Sequence, residues 1–137
     1  MIKYDKYKPS GVDWLGDIPQ DWEVKRVKDI LIKIGSGVTP KGGSEVYVKS
    51  GIPLIRSQNV YDDGLRIDNV SFISEAINDK MKNSQIQPND ILINITGASI
   101  GRSCVVPNSL VKANINQHII FLRINSKLVP FITYFIK

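Results

Sequence analysis

The sequence predicts an α+β fold: a β-rich single domain of short strands in a curved sheet with a few short helices, ending at the start of a longer helix. Three observations predict it. Beyond residue 45, short apolar segments recur about every ten residues with turn residues between them, the punctuation of curved or barrel-like sheets. Ile91, Ile93 and Ile95 alternate with Leu92, Asn94 and Thr96, the period-two pattern of a strand with one greasy face and one mixed face. Pro130 then opens the apolar run Phe131 to Ile136, and proline suits the first turn of a helix.

Taken in order, residues 1–20 form an extended, turn-rich lead-in whose Trp14, Leu15 and Ile18 are expected to dock on the core. Trp22 to Val27 reads as a short strand, and Lys28 to Ile34 as one or two helical turns. Residues 35–44 hold four glycines and read as loop. Ile52 to Arg56 is the next strand, with Pro53 restricting it to a sheet edge or a strand start. Asp62-Asp63-Gly64 is a hairpin-type turn joining Asn59-Val60-Tyr61 to Leu65-Arg66-Ile67. Ser74 caps a short helix reaching about Lys82, with Ile77 and Met81 four residues apart on one face. Pro88-Asn89-Asp90 turns the chain into the isoleucine-rich strand, and Ser103 to Val106 and His118 to Ile124 are further strands. The resulting division is a lead-in over 1–20, a main domain over 21–129 and the start of a truncated helix over 130–137, whose apolar surface calls for a partner.

Composition bounds the function. At 137 residues, 42% hydrophobic and 23% charged, the chain suits one globular domain and is too short for two. Apolar stretches such as Ile119 to Leu122 are only four residues long, so no membrane span is expected. The charged N-terminus lacks the apolar core of a secretory signal, and the single Cys104 cannot form an internal disulfide; both point to a reducing, cytoplasmic setting. The net charge of +5 is unevenly placed: the last 37 residues carry five Lys or Arg and no acid, which suits a polyanionic partner.

Catalytic constellations are scarce. The lone His118, in an apolar β run, reads as structural, and one Cys with one His cannot fill a zinc shell. The glycine-rich loop matches neither the P-loop nor the dinucleotide spacing. No cofactor and no metal are therefore expected. Asp13, Glu23 and Lys25 loosely match the acidic-acidic-lysine set of metal-dependent nucleases, a second and weaker reading.

Amides and hydroxyls, by contrast, cluster around turns: Arg56-Ser57-Gln58-Asn59, Asn94 to Ser99, and Asn114 to His118. Asn and Gln pair bidentately with adenine and Arg with guanine, so these are side chains suited to reading bases. Any single one also serves to satisfy a turn backbone.

Several segments, in order and spacing, resemble the N-terminal target recognition domain of a type I restriction-modification specificity subunit. They are Val12-Asp13-Trp14-Leu15-Gly16 with Ile18-Pro19 and Trp22; Val27-Lys28-Asp29-Ile30 leading to Gly35-Ser36-Gly37-Val38-Thr39-Pro40; and Gly51 to Val60. Ile73-Ser74-Glu75-Ala76, Pro88 to Leu92, Thr96 to Arg102 and Ala113 to Ile119 continue the match. The resemblance implies a non-catalytic, sequence-specific DNA-binding subunit. It would read one half of a bipartite double-stranded target while partner subunits methylate and cleave. It also implies that the shared glycines, Gly35, Gly37, Gly51, Gly97 and Gly101, serve turns or close backbone approach rather than DNA. The contact candidates are Thr39, Lys41, Lys49, Arg56, Ser57, Gln58, Asn59, Asn94, Thr96, Ser99, Arg102, Asn116 and Gln117. The cationic members are expected mainly at phosphates and the amides to include the base readers. A complete subunit has two recognition domains separated by long helices, so this chain stands as a fragment, a truncated frame, or a half-size subunit pairing with a second copy.

Overall fold

The computed structural model describes residues 4–137, so the first three residues of the lead-in lie outside it. The chain divides into two units, Met1–Ile30 and Leu31–Lys137.

In the first unit, β1 (Tyr7–Pro9) and β2 (Asp17–Pro19) pair antiparallel, with Lys8 opposite Ile18. Tyr4 meets Tyr7 and Trp22 edge-on at centroid distances of 6.4 and 5.8 Å, the geometry that ring quadrupoles favour. Ile18 is buried, but Trp14 is 76% exposed and Leu15 is exposed too, so of the three residues expected to be covered only Ile18 is. Trp22 to Arg26 form no strand: with no ladder partner and with side chains in solvent, the expected strand there is corrected to an irregular segment. The helix α1 is a single turn, Val27–Ile30, started by Arg26, whose Nε donates to Asp29 Oδ2 at 2.9 Å.

The second unit corrects the reading of Lys28 to Ile34 as helix. Leu31–Ser36 is the strand β3, because Ile32 and Ile34 alternate with Leu31 and Lys33 and the segment finds a partner strand; tertiary pairing overrides a short apolar run's ambiguity. The strand also takes Gly35 and Ser36 from the expected loop, and a 3-10 turn at Gly43–Val46 ends what remains of it. Then follow β4 (Ile52–Ile55), β5 (Val60–Tyr61), β6 (Gly64–Leu65), β7 (Ser71–Ile73), α2 (Glu75–Lys80), β8 (Gln85–Ile86), β9 (Ile91–Asn94), β10 (Ser103–Val105), β11 (Ala113–Ile115), β12 (Ile119–Ile124) and α3 (Val129–Ile136). The α+β class and the short-strand character are as expected. No helix among the described residues is long and apolar enough to cross a membrane.

The strands build two four-stranded sheets. One runs β10-β9-β12-β3 and is antiparallel throughout; the other runs β7-β4-β11-β8 and contains one parallel pair, β4 with β11. Between them lies a core of Ile55, Val60, Ile86, Leu92, Cys104, Val106, Ala113, Ile115, Ile119 and Phe121. Register explains its layering: Cys104, Leu92, Phe121 and Gly35 stand opposite one another across the first sheet. Gly35 has no side chain because the Phe121 ring and the Asn83 carbonyl occupy the space a Cβ would take. A second cluster, Ile52, Leu54, Ile73 and Met81, fills the space under α2, whose N-terminus Ser74 caps by accepting from the Ile77 amide at 3.3 Å.

Pro53 sits in a central strand, not at an edge. It is the second residue of β4, and the β11 ladder begins only at Leu54. Its partner Phe72 gives its carbonyl to the Val48 amide, so no donor is needed at Pro53 on either side. In β9 the two-faced expectation gives way to burial on both sides: Ile91, Leu92 and Asn94 are all buried. Asp90 in the preceding turn is fully buried and bound bidentately by Arg123 of β12 at 2.7 Å. That bond raises the Arg123 pKa and closes the turn onto the sheet. The hairpin β5-β6 and the helix opened by Pro130 form as expected; α3 buries Val129 and Ile132 and exposes Phe131, Tyr134 and Phe135.

Candidate nucleic-acid interface

Three separate chain segments meet around an open cleft of about 480 Å³ in the second unit, lined by Ser57, Gln58, Tyr61, Thr96, Gly97, Ala98, Ser99, Arg102 and His118. Five of the thirteen residues nominated from sequence, Ser57, Gln58, Thr96, Ser99 and Arg102, are in that lining. The sheets put them there. The chain leaves β4 and makes a 3-10 turn at Ser57–Asn59, which holds Gln58 exposed at its tip. Beyond β9 a tight loop runs from Thr96 to Arg102, closed by Ile100 N donating to Gly97 O and Arg102 N to Ser99 O. Gly97 at φ +77° and Gly101 at φ +89° occupy the left-handed region, which makes this loop possible.

Three nominated amides hold the cleft up from below. Asn94 is 1% exposed and its Nδ2 donates to Ser57 O and Ser99 Oγ, both at 2.9 Å, tying two of the three segments together. Asn59 accepts from the Arg56 amide at 2.9 Å and donates to Arg66 O at 2.8 Å. Asn116 is buried and accepts from the His118 amide at 3.2 Å. Their neighbour Asn114 is also internal, donating to Asn78 Oδ1 at 2.9 Å. Gln117 is exposed beside the cleft, its Nε2 3.1 Å from His118 Nε2. Thr39, Lys41 and Lys49 are exposed outside the lining, and Arg56 is half-buried with its guanidinium over the Tyr47 ring at 5.9 Å.

Sequence reasoning did not single out Tyr61, and it read His118 as structural. The His118 ring stands in the cleft wall, hydrogen-bonded through Nδ1 to Thr96 Oγ1. Over the Tyr61 ring stand two guanidinium groups, Arg66 at 4.9 Å and Arg102 at 4.8 Å. They differ in charge balance. Arg66 binds Asp63 at 2.7 and 2.9 Å, which raises the arginine's pKa and holds the Asp63 carboxyl below the usual carboxylate range. Among the described residues, no carboxylate pairs with Arg102. Arg66 is local to Tyr61 in sequence, but Arg102 joins the cluster only through the fold.

The nuclease reading finds no support. Glu23 is exposed and paired with Lys25 at 3.2 Å, and among the described residues no three His, Cys, Asp or Glu side chains come together to hold a metal. Cys104 is buried and its thiol pKa is pushed up to about 11, mainly by burial.

Comparison with known proteins places this geometry. The chain is 34% identical over 92 residues to the EcoBI type I restriction enzyme specificity subunit of Escherichia coli, a match covering 65% of this chain and 19% of that protein. It is 28% identical over 92 residues, covering 67% of this chain and 20% of the relative, to a Methanocaldococcus jannaschii protein assigned as the MjaX type I restriction enzyme specificity subunit. The chain thus spans about a fifth of the length of these curated relatives. The crystal structure of the HsdS subunit from Thermoanaerobacter tengcongensis shares the fold, with a TM-score of 0.67 at 19% identity over 95% of this chain and 29% of that one. A second solved chain, from work on complex assembly and conformational transition of the type I R-M system, superposes equally well over 95% of this chain and 30% of its own. The family model for the type I restriction modification DNA specificity domain matches residues 19–137, and the chain belongs to that family.

Proposed function

We propose that this domain, within residues 21–129, reads one half of a bipartite double-stranded DNA target and directs partner methylation and restriction subunits to it, without catalysing either reaction itself. The observation that carries the reading is the convergence of Ser57, Gln58, Thr96, Ser99 and Arg102 from separate segments around one cleft whose arginine has no acidic partner among the described residues. Hydroxyls, amides and an unpaired guanidinium are the groups that bind phosphates and base edges. The protruding groups around the cleft, Gln58 and Gln117, with Thr39, Lys41 and Lys49 exposed elsewhere, supply further contacts. The second half-site falls to another recognition domain, either in a longer subunit or in a second copy of this chain. The apolar face of α3 suits the helical connection such a pairing needs. The reading places the domain in the cytoplasm and requires no cofactor.

Selection of bound duplexes from a random DNA pool, at two salt concentrations, tests it. A short enriched motif with affinity falling steeply as salt rises is the expected outcome. Salt-sensitive binding with no motif would remove the reading function and leave only phosphate contact.

A further inference from the structure

Resting on the DNA-reading proposal above, we propose that the cleft is a seat for one phosphodiester of the DNA backbone, with Arg102 as its charged contact and Tyr61 as the residue that positions Arg102. Shape is the first argument. Base edges lie on the floor of a major groove about 8.5 Å deep and are reached by side chains that protrude. A recess lined by Gly97 and Ala98 cannot reach them, but it can receive a phosphate, which projects from the duplex.

The lining chemistry agrees. Among the described residues no carboxylate lines the cleft, and Arg102 is its only permanent charge. Around it stand the hydroxyls of Ser57, Thr96 and Ser99. The backbone amides of Gly97, Ala98 and Ser99 donate to no protein acceptor among the described residues. These groups together form an anion-accepting set. The two arginines over Tyr61 then have separate tasks. Arg66 is neutralised by Asp63 and helps fix the ring; Arg102 lies against the same ring with its charge uncommitted. An aromatic face beneath a guanidinium attracts it without using its N–H groups, which stay free to bind.

The seat fixes the register of the domain on DNA and leaves base reading to protruding groups such as Gln58. Affinity of the full chain for its selected duplex and for a scrambled duplex, measured from roughly 50 to 300 mM salt, separates the two roles. Arg102→Ala is expected to weaken both duplexes by the same factor, to make the log-log salt slope shallower by about one, and to leave the selected motif unchanged. Arg102→Lys restores the slope. Tyr61→Leu keeps the slope while lowering affinity for both duplexes alike, since it removes positioning and not charge. Gln58→Ala instead relaxes the motif with the slope intact. Replacing single phosphates by uncharged methylphosphonates should reveal one position where the native chain loses affinity and Arg102→Ala loses nothing more. A changed motif in Arg102→Ala, an unchanged slope, or 2-aminopurine fluorescence reporting a base unstacked into the cleft would overturn the seat. Circular dichroism of Arg102→Ala matching the native chain excludes misfolding as the cause of its lost affinity. A native chain that binds no duplex overturns the DNA reading and the seat together, whereas binding with an unaltered Arg102→Ala slope overturns the seat alone.

Discussion

Two arginines of this molecule lie over aromatic rings at nearly equal distances, Arg102 over Tyr61 at 4.8 Å and Arg123 over Phe121 at 5.1 Å, and their surroundings give them opposite roles. Arg123 shares a bidentate bond with an aspartate that has no exposed surface, so its charge is consumed inside the fold. Arg102 is exposed and pairs with no carboxylate among the described residues, so its charge is available to a partner. What separates the two is the carboxylate beside Arg123, since an aromatic ring lies beneath both.

The sharpest way to break the comparison is at Asp90. Removing one partner of a buried ion pair leaves the other uncompensated, and Asp90→Ala should cost about 3 kcal/mol or more of stability, read as a shift in the urea midpoint. Pairing it with Arg123→Leu should recover part of that loss, because a stranded guanidinium is then no longer buried. If the double variant is as unstable as the single, the pair is not the source of the effect.

Asn94→Ala comes next. It leaves the Ser57 carbonyl and the Ser99 hydroxyl without their shared donor, for an expected loss of about 1 to 3 kcal/mol by the same titration. Affinity for DNA should fall further than the loss of stability explains, since the loop bearing Arg102 loses its tie to the 3-10 turn bearing Gln58.

The buried thiol supplies a pH test. Cys104 ionises at about 11 in the fold against 9.0 as its ordinary value, so burial favours the protonated form. The stability this contributes is fully present below pH 9 and is lost as pH rises towards about 11, by an amount on the order of 2 kcal/mol. Thermal melts of the native chain should fall more steeply than those of Cys104→Ala as pH rises across that range; parallel curves would show that the thiol does not titrate between the two states. The smallest expected effect is Arg102→Ala on stability, within about 0.5 kcal/mol, as befits an exposed side chain whose role is outside the fold.

Much of this was legible in the sequence. The hairpin at Asp62-Asp63-Gly64, the Ser74 cap and the Pro130 helix start were readable because each rests on local backbone chemistry. β3 was not, because Leu31 to Ser36 is committed by pairing with a strand nearly ninety residues away. The same divide runs through the site. Gln58 and Arg102 could be named from their chemical type, but so could Asn59, Asn94 and Asn116, which the fold turns inward. Nothing in an asparagine's identity says whether a backbone carbonyl lies within its reach. Tyr61 escaped notice because its role comes from two arginines, one of them forty-one residues further along.

The strand order carries a consequence for how the polypeptide acquires its shape during synthesis. In each four-stranded sheet an inner position belongs to a late segment: β11 lies between β4 and β8, and β12 between β9 and β3. As the chain emerges from the ribosome, β3 must wait without any ladder partner and β4 with one side open until residues 113–124 appear, and only then can both ladders close. Such long-range closure is slow and leaves apolar edges uncovered in the meantime. Until residue 113 emerges the nascent segment is therefore an aggregation-prone precursor, and a stop codon before Ala113 would yield a product with neither sheet complete.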